Sequence, residues 1–326
     1  MLKVEGLCVD YELPASGLLP RRRQILKAVE DVSFELRAGE TLGVVGETGC
    51  GKSSLGKAIL QLVRPTRGRV IWQGHDLCVL SARGMRAFRK DLQIVFQDPL
   101  SSLNPRMTVG ETVAEPLRIH APAMTAEQRA QAVGEMLQRV GLRAEMGKRY
   151  PNEFSGGQCQ RISIARAMIV EPRVIVCDEP VSALDVSIQA QICNLLRKLQ
   201  RETGVSLIFI SHDLSVVRYM SQRVLVMYLG NVMETGARDD FFQQPRHPYS
   251  QALLQAIPKP DPEQTFAEQV VPLQGEPPSP INPPSGCVFR ARCPRATPLC
   301  VSHRPSLEPV TAEHAVACHH WRDKEQ

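Results

Sequence analysis

The chain has 326 residues, of which 43% are hydrophobic and 22% are charged. This is an ordinary composition for a soluble globular protein, and it excludes wholesale disorder and a collagen-like fibre. At roughly 150 residues per domain, the length predicts about two domains. Lys and Arg number 39 against 34 Asp and Glu, and the resulting net charge of +5 is too small to indicate a dedicated nucleic-acid binder.

No apolar run reaches the roughly 18 to 20 residues that a membrane span requires, and the first residues lack the apolar segment of a secretory signal. We therefore expect a cytosolic chain that does not cross a bilayer by itself. In a reducing compartment, the ten cysteines are not expected to form a disulfide framework.

Short β-branched runs alternate with segments of helical periodicity over residues 1–257. Their nearly continuous apolarity predicts strands buried on both faces, and helices such as Ser187–Arg201 supply the crossovers. The pattern is typical of an α/β domain with a largely parallel sheet. The predicted strands are Leu42–Val45, Gln93–Phe96, Val174–Cys177, Leu207–Ile210 and Arg223–Met227.

A helical insertion interrupts this alternation. Between Pro99 and Tyr150 no strand pattern occurs, whereas Thr125 and Gln128 form a capping-box pattern before an apolar periodicity that Gly141 closes. We predict a helical subdomain at about residues 98–157.

A glycine-rich run matches G-x-x-x-x-G-K-[ST] between the first of these strands and a helix. Such glycines let backbone N–H groups converge on phosphate oxygens at a helix N-terminus, while the lysine adds a charge and the serine hydroxyl ligates Mg²⁺. A glycine-rich turn with a solvated lysine is the alternative, and the flanking strand and helix disfavour it. The residues of this phosphate loop are Gly46, Glu47, Thr48, Gly49, Cys50, Gly51, Lys52 and Ser53.

Acidic and imidazole groups follow two other predicted strands. Asp178 and Glu179 come directly after an apolar strand, where Asp178 is suited to hold Mg²⁺ and Glu179 to polarise the water that attacks the γ-phosphate. His212 follows the next strand and is suited to hydrogen-bond the γ-phosphate or that water. Solvated acids and a structural histidine are the alternatives.

A second candidate anion site precedes a helix that we predict to begin near Cys159. It consists of Ser155, Gly156, Gly157 and Gln158. Small residues at a helix start expose N–H donors. Since one chain is not expected to wrap both anion sites onto one nucleotide, two chains arranged head to tail would hold two ATP molecules between them.

These motifs, with Ser182-Ala183-Leu184-Asp185, occur in the order found in the ATP-binding cassette (ABC) ATPases, which the chain resembles over residues 1 to about 240. The resemblance implies a P-loop NTPase (RecA-like) fold with a helical subdomain. It also implies that Gln97 senses Mg²⁺ and contacts a membrane subunit, that Tyr11 stacks on adenine, and that Asp185 links the two nucleotide sites. Thr48 and Ser54 stand where the usual pattern has Ser and Thr. Since both residues keep a hydroxyl, we expect little effect on phosphate binding.

Narrower features resemble the ATPase subunits of dipeptide and oligopeptide importers. They are the runs Gln93–Pro99, Ser102–Thr108 and Cys177–Ser187, and the segment ending at Lys27-Ala28-Val29 is similar to the F-type subunit of such pairs. The resemblance implies ATP hydrolysis to ADP and phosphate coupled to peptide import. Nickel and glutathione importers share much of this pattern and stay open as alternatives.

The same resemblance implies a set of partners and a location. The partners are two transmembrane permease subunits, a related D-type ATPase subunit and, indirectly, an extracytoplasmic solute-binding protein, with no nucleic acid. The location is the cytoplasmic face of the inner membrane. Two other functions are alternatives to transport. A cassette ATPase acting on DNA or the ribosome usually has coiled coils or two cassettes, and this sequence shows neither pattern. A small-molecule kinase would have no use for the motif Ser155–Gln158.

Proline and cysteine set the last part of the chain apart. Thirteen of the 25 prolines lie from Pro258 onward, so we place a boundary near 258 and predict a small, largely irregular extension over 258–326. It contains Cys287, Cys293, Cys300 and Cys318. This segment resembles the C-terminal extension of peptide-importer ATPases, for which a [4Fe-4S] cluster is implied in some members. Zn²⁺ and unligated thiols remain alternatives.

One departure from the family pattern concerns Cys159, which stands where an arginine is expected after Gln158. We expect this change to remove a charge beside the partner's nucleotide. Glu179 and His212 are retained, so the groups for hydrolysis are present.

Overall fold

The computed structural model describes residues 1–13, 24–257 and 275–322, which form two compact units. The first unit comprises residues 1–35, 42–78 and 211–326, and the second comprises residues 36–41 and 79–210, within the described ranges. The predicted boundary near 258 lies at the start of residues 258–274, outside the described residues. The predicted domain division at 257/258 and the subdomain 98–157 therefore stay predictions.

Twelve strands occur in the described residues. They are β1 (Leu2–Leu13), β2 (Gln24–Leu36), β3 (Thr41–Val45), β4 (Arg67–Trp72), β5 (His75–Asp76), β6 (Leu92–Val95), β7 (Val174–Asp178), β8 (Ser206–Ile210), β9 (Arg223–Tyr228), β10 (Asn231–Ala237), β11 (Glu308–Pro309) and β12 (Ala315–Val316).

Eleven α-helices occur in the same residues. They are α1 (Lys52–Ile59), α2 (Ala82–Met85), α3 (Pro99–Ser102), α4 (Val109–His120), α5 (Ala126–Arg139), α6 (Gly156–Met168), α7 (Val186–Thr203), α8 (Leu214–Met220), α9 (Arg238–Gln243), α10 (Pro248–Gln255) and α11 (Pro298–Ser302). None of the described helices combines the length and the apolarity that crossing a bilayer needs.

The first unit holds two groups of strands. One is a sheet in the order β2-β1-β4-β5, and in the other the neighbours run β11-β12-β10-β9-β3. β3 and β9 are parallel, with Val45 opposite Val226, whereas β9 and β10 are antiparallel. Every residue of β3 is buried, as its continuous apolarity predicts. The phosphate loop therefore leaves the carboxyl end of a fully buried strand.

The second unit is built on the parallel strands β6, β7 and β8, in which β7 pairs with both neighbours. All residues of β7 and β8 are buried. Helices α3 to α5 lie between β6 and α6 in the chain, as the predicted helical insertion requires. Thr125 and Gln128 cap the start of α5 reciprocally, which confirms the predicted capping box.

The five predicted strands agree with the observed ones to within one residue at each end. The predicted start of α6 near Cys159 is wrong, because the helix begins at Gly156. Ser155 and Gln158 form a capping box there, with the Ser155 N–H donating to Gln158 Oε1 at 3.0 Å. This reciprocal cap stabilises a start three residues earlier than the apolar periodicity indicates.

The described part of the C-terminal extension packs on the first unit. β12 pairs antiparallel with β10, and β11 pairs with β12, so the extension continues the neighbouring strands. Phe289 is only 1% exposed and contacts the rings of Tyr228 and Tyr249, each at a centroid distance of 5.3 Å. Mostly irregular backbone thus contributes a buried aromatic side chain to the first unit.

Candidate active site

The phosphate loop turns sharply between β3 and α1 with the help of glycine. Gly46 and Gly51 have φ values of 149° and 105°. A side chain at Gly51 would collide with the carbonyl oxygen of Ala28, and one at Gly46 would collide with the carbonyl oxygen of Met227. Only glycine fits both backbone conformation and space at these positions.

Lys52 lies inside this loop. Its side chain is buried, and its Nζ donates to the carbonyl oxygens of Gly46 at 2.8 Å and Glu47 at 3.0 Å. Because Gly51 precedes α1 without a side chain, it provides no side-chain cap for the first-turn amides. The loop therefore presents a positive charge together with the positive end of a helix, which is the arrangement that binds phosphate.

Cys50 is an additional side chain of the loop. Burial raises the pKa of its thiol, and its Sγ lies 3.9 Å from Lys52 Nζ. A raised pKa keeps this thiol protonated at neutral pH, so it lacks the thiolate that reactivity requires.

Three other residues predicted to contact the nucleotide also belong to the first unit. The Tyr11 hydroxyl lies 3.2 Å from Ser54 Oγ, so β1 holds this aromatic ring beside the start of α1. Ser53 is partly exposed in the first turn of α1, next to Lys52. His212 is exposed, and the next residue, Asp213, caps α8 by accepting from Ser215 N at 2.7 Å.

Glu47 connects the loop to the C-terminal extension. Arg292 donates to the two carboxylate oxygens of Glu47 at 2.8 and 3.0 Å. This hydrogen bonding raises the pKa of the Arg292 guanidinium. The N–H of Glu47 also donates to the Tyr249 hydroxyl at 3.0 Å. Sequence reasoning missed Arg292 and Tyr249, because no local pattern identifies a partner about 200 or more residues away.

The second unit carries the acidic pair. Asp178 ends β7 and Glu179 follows it, and both are buried. Gln97 Nε2 donates to Glu179 Oε2 at 3.3 Å, so two residues predicted for the same chemistry lie together. The N–H of Glu179 donates to the Ile210 carbonyl at 3.0 Å. Glu179 has a φ of 48°, a conformation that costs free energy for a residue other than glycine.

Ser155–Gln158 occupy the start of α6 in the second unit. A side chain at Gly157 would approach Ile188 Cγ2 of α7 to 2.6 Å, so the glycine permits close packing of the two helices. Cys159 is fully buried, and its thiol lies 3.5 Å from the Pro151 carbonyl oxygen. The Cys159 side chain therefore faces the interior, and its expected effect on a partner's nucleotide stays a prediction. Asp185 is exposed before α7.

The four cysteines of the extension lie near one another. The Cys287 N–H donates to the Cys300 carbonyl at 2.8 Å. Burial, together with the nearby thiols of Cys287, Cys293 and Cys300, raises the pKa of the Cys318 thiol to about 11. Among the described residues, however, no group of three or more His, Cys, Asp or Glu side chains is placed to hold a metal ion. The arrangement as it stands does not support the predicted iron–sulfur cluster.

Comparison with known families confirms the resemblance read from the motifs. A family model described as ABC transporter matches residues 29–182. A second, described as the C-terminal region of oligopeptide/dipeptide transporters, matches residues 233–300. The first covers the phosphate loop and the acidic pair, and the second covers the start of the extension.

Individual proteins agree with these matches. The oligopeptide transport ATP-binding protein OppF of Haemophilus influenzae is 53% identical over 98% of this chain and 96% of its own length. OppF of Escherichia coli is 57% identical over 98% of this chain and 95% of its own length. The dimeric ATP-binding cassette MJ0796, solved in a post-hydrolysis state with ADP and Pi, is 30% identical, with a TM-score of 0.65 over 73% of this chain and 99% of that one. The chain therefore belongs to the family of ABC transporter ATP-binding proteins, in its oligopeptide-transport branch.

Proposed function

We propose that this protein is the ATP-hydrolysing subunit of an ABC transporter that imports peptides across the cytoplasmic membrane. The observation that carries the proposal is the phosphate loop, with Lys52 buried between loop carbonyls at the start of α1. Similarity to OppF supports the transport role, because the OppF proteins are described as oligopeptide transport ATP-binding proteins.

In this proposal the loop holds the phosphates of ATP. The amides of residues 46–51 and of the first turn of α1 face the phosphate oxygens, and Lys52 exchanges its loop carbonyls for the β- and γ-phosphates. Tyr11 stacks on the adenine. The bond between the Tyr11 hydroxyl and Ser54 Oγ supports this role, since it holds the ring beside the loop.

Mg²⁺ would be held by Ser53, Asp178 and Gln97. Hydroxyl, carboxylate and amide oxygens are the ligands that this hard cation prefers. Asp178 suits such a role because its carboxylate lies at the carboxyl end of the buried strand β7. Bound Mg²⁺ would neutralise charge that develops on the phosphates.

Hydrolysis requires a base beside the γ-phosphate, and we assign Glu179 to it. Its carboxylate accepts a proton from the water whose oxygen forms the new bond to phosphorus, while the bond to the β-phosphate oxygen breaks and ADP leaves. The hydrogen bond from Gln97 supports this assignment, since it orients the Glu179 carboxylate. His212 stabilises the γ-phosphate from the strand end that precedes α8.

A second cassette would complete each ATP site. In the proposal, Ser155–Gln158 of one subunit face the γ-phosphate held by the other, and Asp185 connects the two sites across the dimer. The dimeric state of the similar MJ0796 cassette supports this arrangement. We further propose that the second cassette is a related D-type chain and that two membrane permeases anchor the pair at the cytoplasmic face of the membrane.

Reconstitution tests the proposed function. The full chain is assembled with its candidate membrane and D-type subunits in vesicles, and uptake of a labelled oligopeptide is measured with and without ATP. We expect uptake that requires both ATP and the solute-binding protein. ATP-dependent uptake of Ni²⁺ or glutathione without peptide uptake would contradict the peptide assignment. Failure of the chain to bind ATP would contradict the proposal entirely.

We also propose that the four cysteines of the extension hold a [4Fe-4S] cluster, with Zn²⁺ as the alternative occupant. Four thiols that interact electrostatically support the proposal, because thiolates are the ligands of such clusters. The described geometry contains no preformed metal-binding group. Loading would therefore require the cysteines to deprotonate and to move.

Metal analysis of the full chain, purified without oxygen, tests this second proposal. We expect about four iron and four sulfide per chain, with a brown colour that a Cys300→Ser variant loses. Stoichiometric zinc without iron would overturn the cluster in favour of Zn²⁺. Neither metal would leave unligated thiols as the correct interpretation.

A further inference from the structure

A buried ion pair joins the C-terminal extension to the phosphate loop. Arg292 and Glu47 are separated by 245 residues, yet both terminal nitrogens of the guanidinium reach the carboxylate, at 2.8 and 3.0 Å. The Arg292 side chain is only 5% exposed, compared with 25% for Glu47. Paired hydrogen bonds of this kind fix orientation as well as charge, and burial of the arginine reduces screening by water.

The aromatic packing of the extension holds Arg292 in place. Its guanidinium lies 5.8 Å from the ring centroid of Tyr228, and the backbone N–H of Arg292 donates to the Phe289 carbonyl at 3.0 Å. Phe289 is itself buried against Tyr228 and Tyr249. The arginine therefore projects from a packed support and not from a loose segment.

Every polar part of Glu47 is engaged. Its carboxylate binds Arg292, its N–H binds the Tyr249 hydroxyl, and its carbonyl accepts from Lys52. Lys52 is the residue assigned to the phosphates. A displacement of Glu47 would consequently alter the position of the phosphate-binding lysine.

The negative charge of Glu47 also affects the affinity of the loop for ATP. A carboxylate within the phosphate loop repels a bound triphosphate unless a cation balances it. Arg292 is the cation that pairs with Glu47. Neutralisation by the extension would thus favour ATP binding even before any effect on loop geometry.

We infer that Arg292 is a positioning residue for the phosphate loop, through which the C-terminal extension sets the affinity of the site for ATP. The inference rests on the proposed ATPase function and adds a residue from outside the known motifs. Arg292 acts through Glu47 and does not itself touch the reacting atoms.

Reciprocal substitution tests the inference in the full chain. We expect Arg292→Ala to weaken equilibrium binding of a fluorescent ATP analogue about fivefold to tenfold, since it leaves one negative charge near the phosphates unbalanced. Glu47→Gln removes that charge, so the effect of Arg292→Ala should largely disappear when both substitutions are combined. The double variant should bind ATP within about twofold of Glu47→Gln alone.

Two further variants separate this role from general packing. Arg292→Lys keeps the charge but loses the paired geometry, so we expect an intermediate affinity. Arg322→Ala is the matched control, because Arg322 is an exposed arginine of the same extension that pairs with Glu308. In the assembled transporter, Arg292→Ala should raise KM for ATP while kcat changes less than about twofold.

The outcomes are distinct. ATP binding by Arg292→Ala equal to that of the unaltered chain would overturn the inference. So would an equal weakening when Arg292→Ala is added to Glu47→Gln, because Arg292 would then act only as packing. If the unaltered chain itself bound no ATP, the proposed function would fail instead.

Discussion

The phosphate loop and the C-terminal extension lie in the same unit but owe their structures to different kinds of information. The loop is a run of eight residues that leads from a buried strand into the first turn of a helix. Its polar groups bind one another, as Lys52 does with the carbonyls of Gly46 and Glu47. The position of the extension depends on contacts across long stretches of chain, such as that of Arg292 with Glu47. The backbone of the loop is thus shaped mainly by its own sequence, with Glu47 as its link to Arg292, whereas the extension is ordered by what it packs against.

The strongest test of the nucleotide assignment is the variant Glu179→Gln. Loss of the proposed base should lower the ATPase rate of the assembled transporter by about 10³- to 10⁴-fold while ATP binding persists. Glu171→Gln is a matched control, because Glu171 also has a positive φ, of 53°, but is exposed after α6. Near-normal ATPase activity in Glu179→Gln would refute the assigned base.

Lys52→Met tests whether the loop itself holds the phosphates. Two lost charge-assisted hydrogen bonds, each contributing about 2 kcal/mol, would weaken ATP binding by several hundredfold. The control is Lys57→Met, which alters a lysine in the last turn of the same helix. If equilibrium titration gave the same affinity for both variants, the phosphate-binding role of Lys52 would be wrong.

Phe289→Ala tests whether the extension depends on its long-range packing. Removal of a side chain that is 1% exposed should lower the free energy of unfolding by about 3 kcal/mol, because it leaves a cavity beside Tyr228 and Tyr249. Denaturant titration measures this loss. Leu299→Ala, at a residue 45% exposed, should change stability by less than about 1 kcal/mol. Equal effects of the two substitutions would contradict the packing described here.

Acid should also lower the free energy of unfolding of the first unit, because His247 takes up a proton when the chain unfolds. Burial lowers the pKa of this histidine from 6.5 to about 4, although the charge of Glu234 opposes the shift. Unfolded His247 binds a proton near pH 6.5 and folded His247 only near pH 4, so stability falls as pH decreases across this window, by at most about 3 kcal/mol.

The variant His247→Asn isolates that contribution. Asparagine supplies an acceptor for the Tyr249 N–H, which His247 Nδ1 accepts at 3.0 Å, but it does not titrate. We expect the slope of unfolding free energy against pH between 6.5 and 4 to decrease in this variant and to remain in His75→Asn, a change at an exposed site. An unchanged slope in His247→Asn would assign the acid sensitivity to other groups.

The sequence predicted what local patterns determine. The five strands, the helix α7 and the cap of α5 follow from apolar periodicity and short-range hydrogen bonding, and the structure confirms them. The start of α6 was mispredicted because the reciprocal cap of Ser155 and Gln158 outweighed the apolar pattern. The roles assigned to the motif residues stay predictions, although Gln97 and Glu179 do lie together.

Other features of the site could not be predicted, for a physical reason. The pairing of Glu47 with Arg292 follows from the way Phe289 packs on the first unit, and this packing has no signature in the flanking residues. Likewise, the inward orientation of Cys159 depends on the neighbouring Pro151 carbonyl and the surrounding core. Only the folded chain brings such groups together.

The ion pair between Glu47 and Arg292 also constrains how the sequence can diverge. A descendant that loses the extension would keep an acid in its phosphate loop with no cation to balance it. We therefore expect position 47 to become neutral in lineages that lack the extension, and positions 47 and 292 to covary in those that retain it. The extension would then persist through selection on nucleotide affinity, whatever becomes of its cysteines.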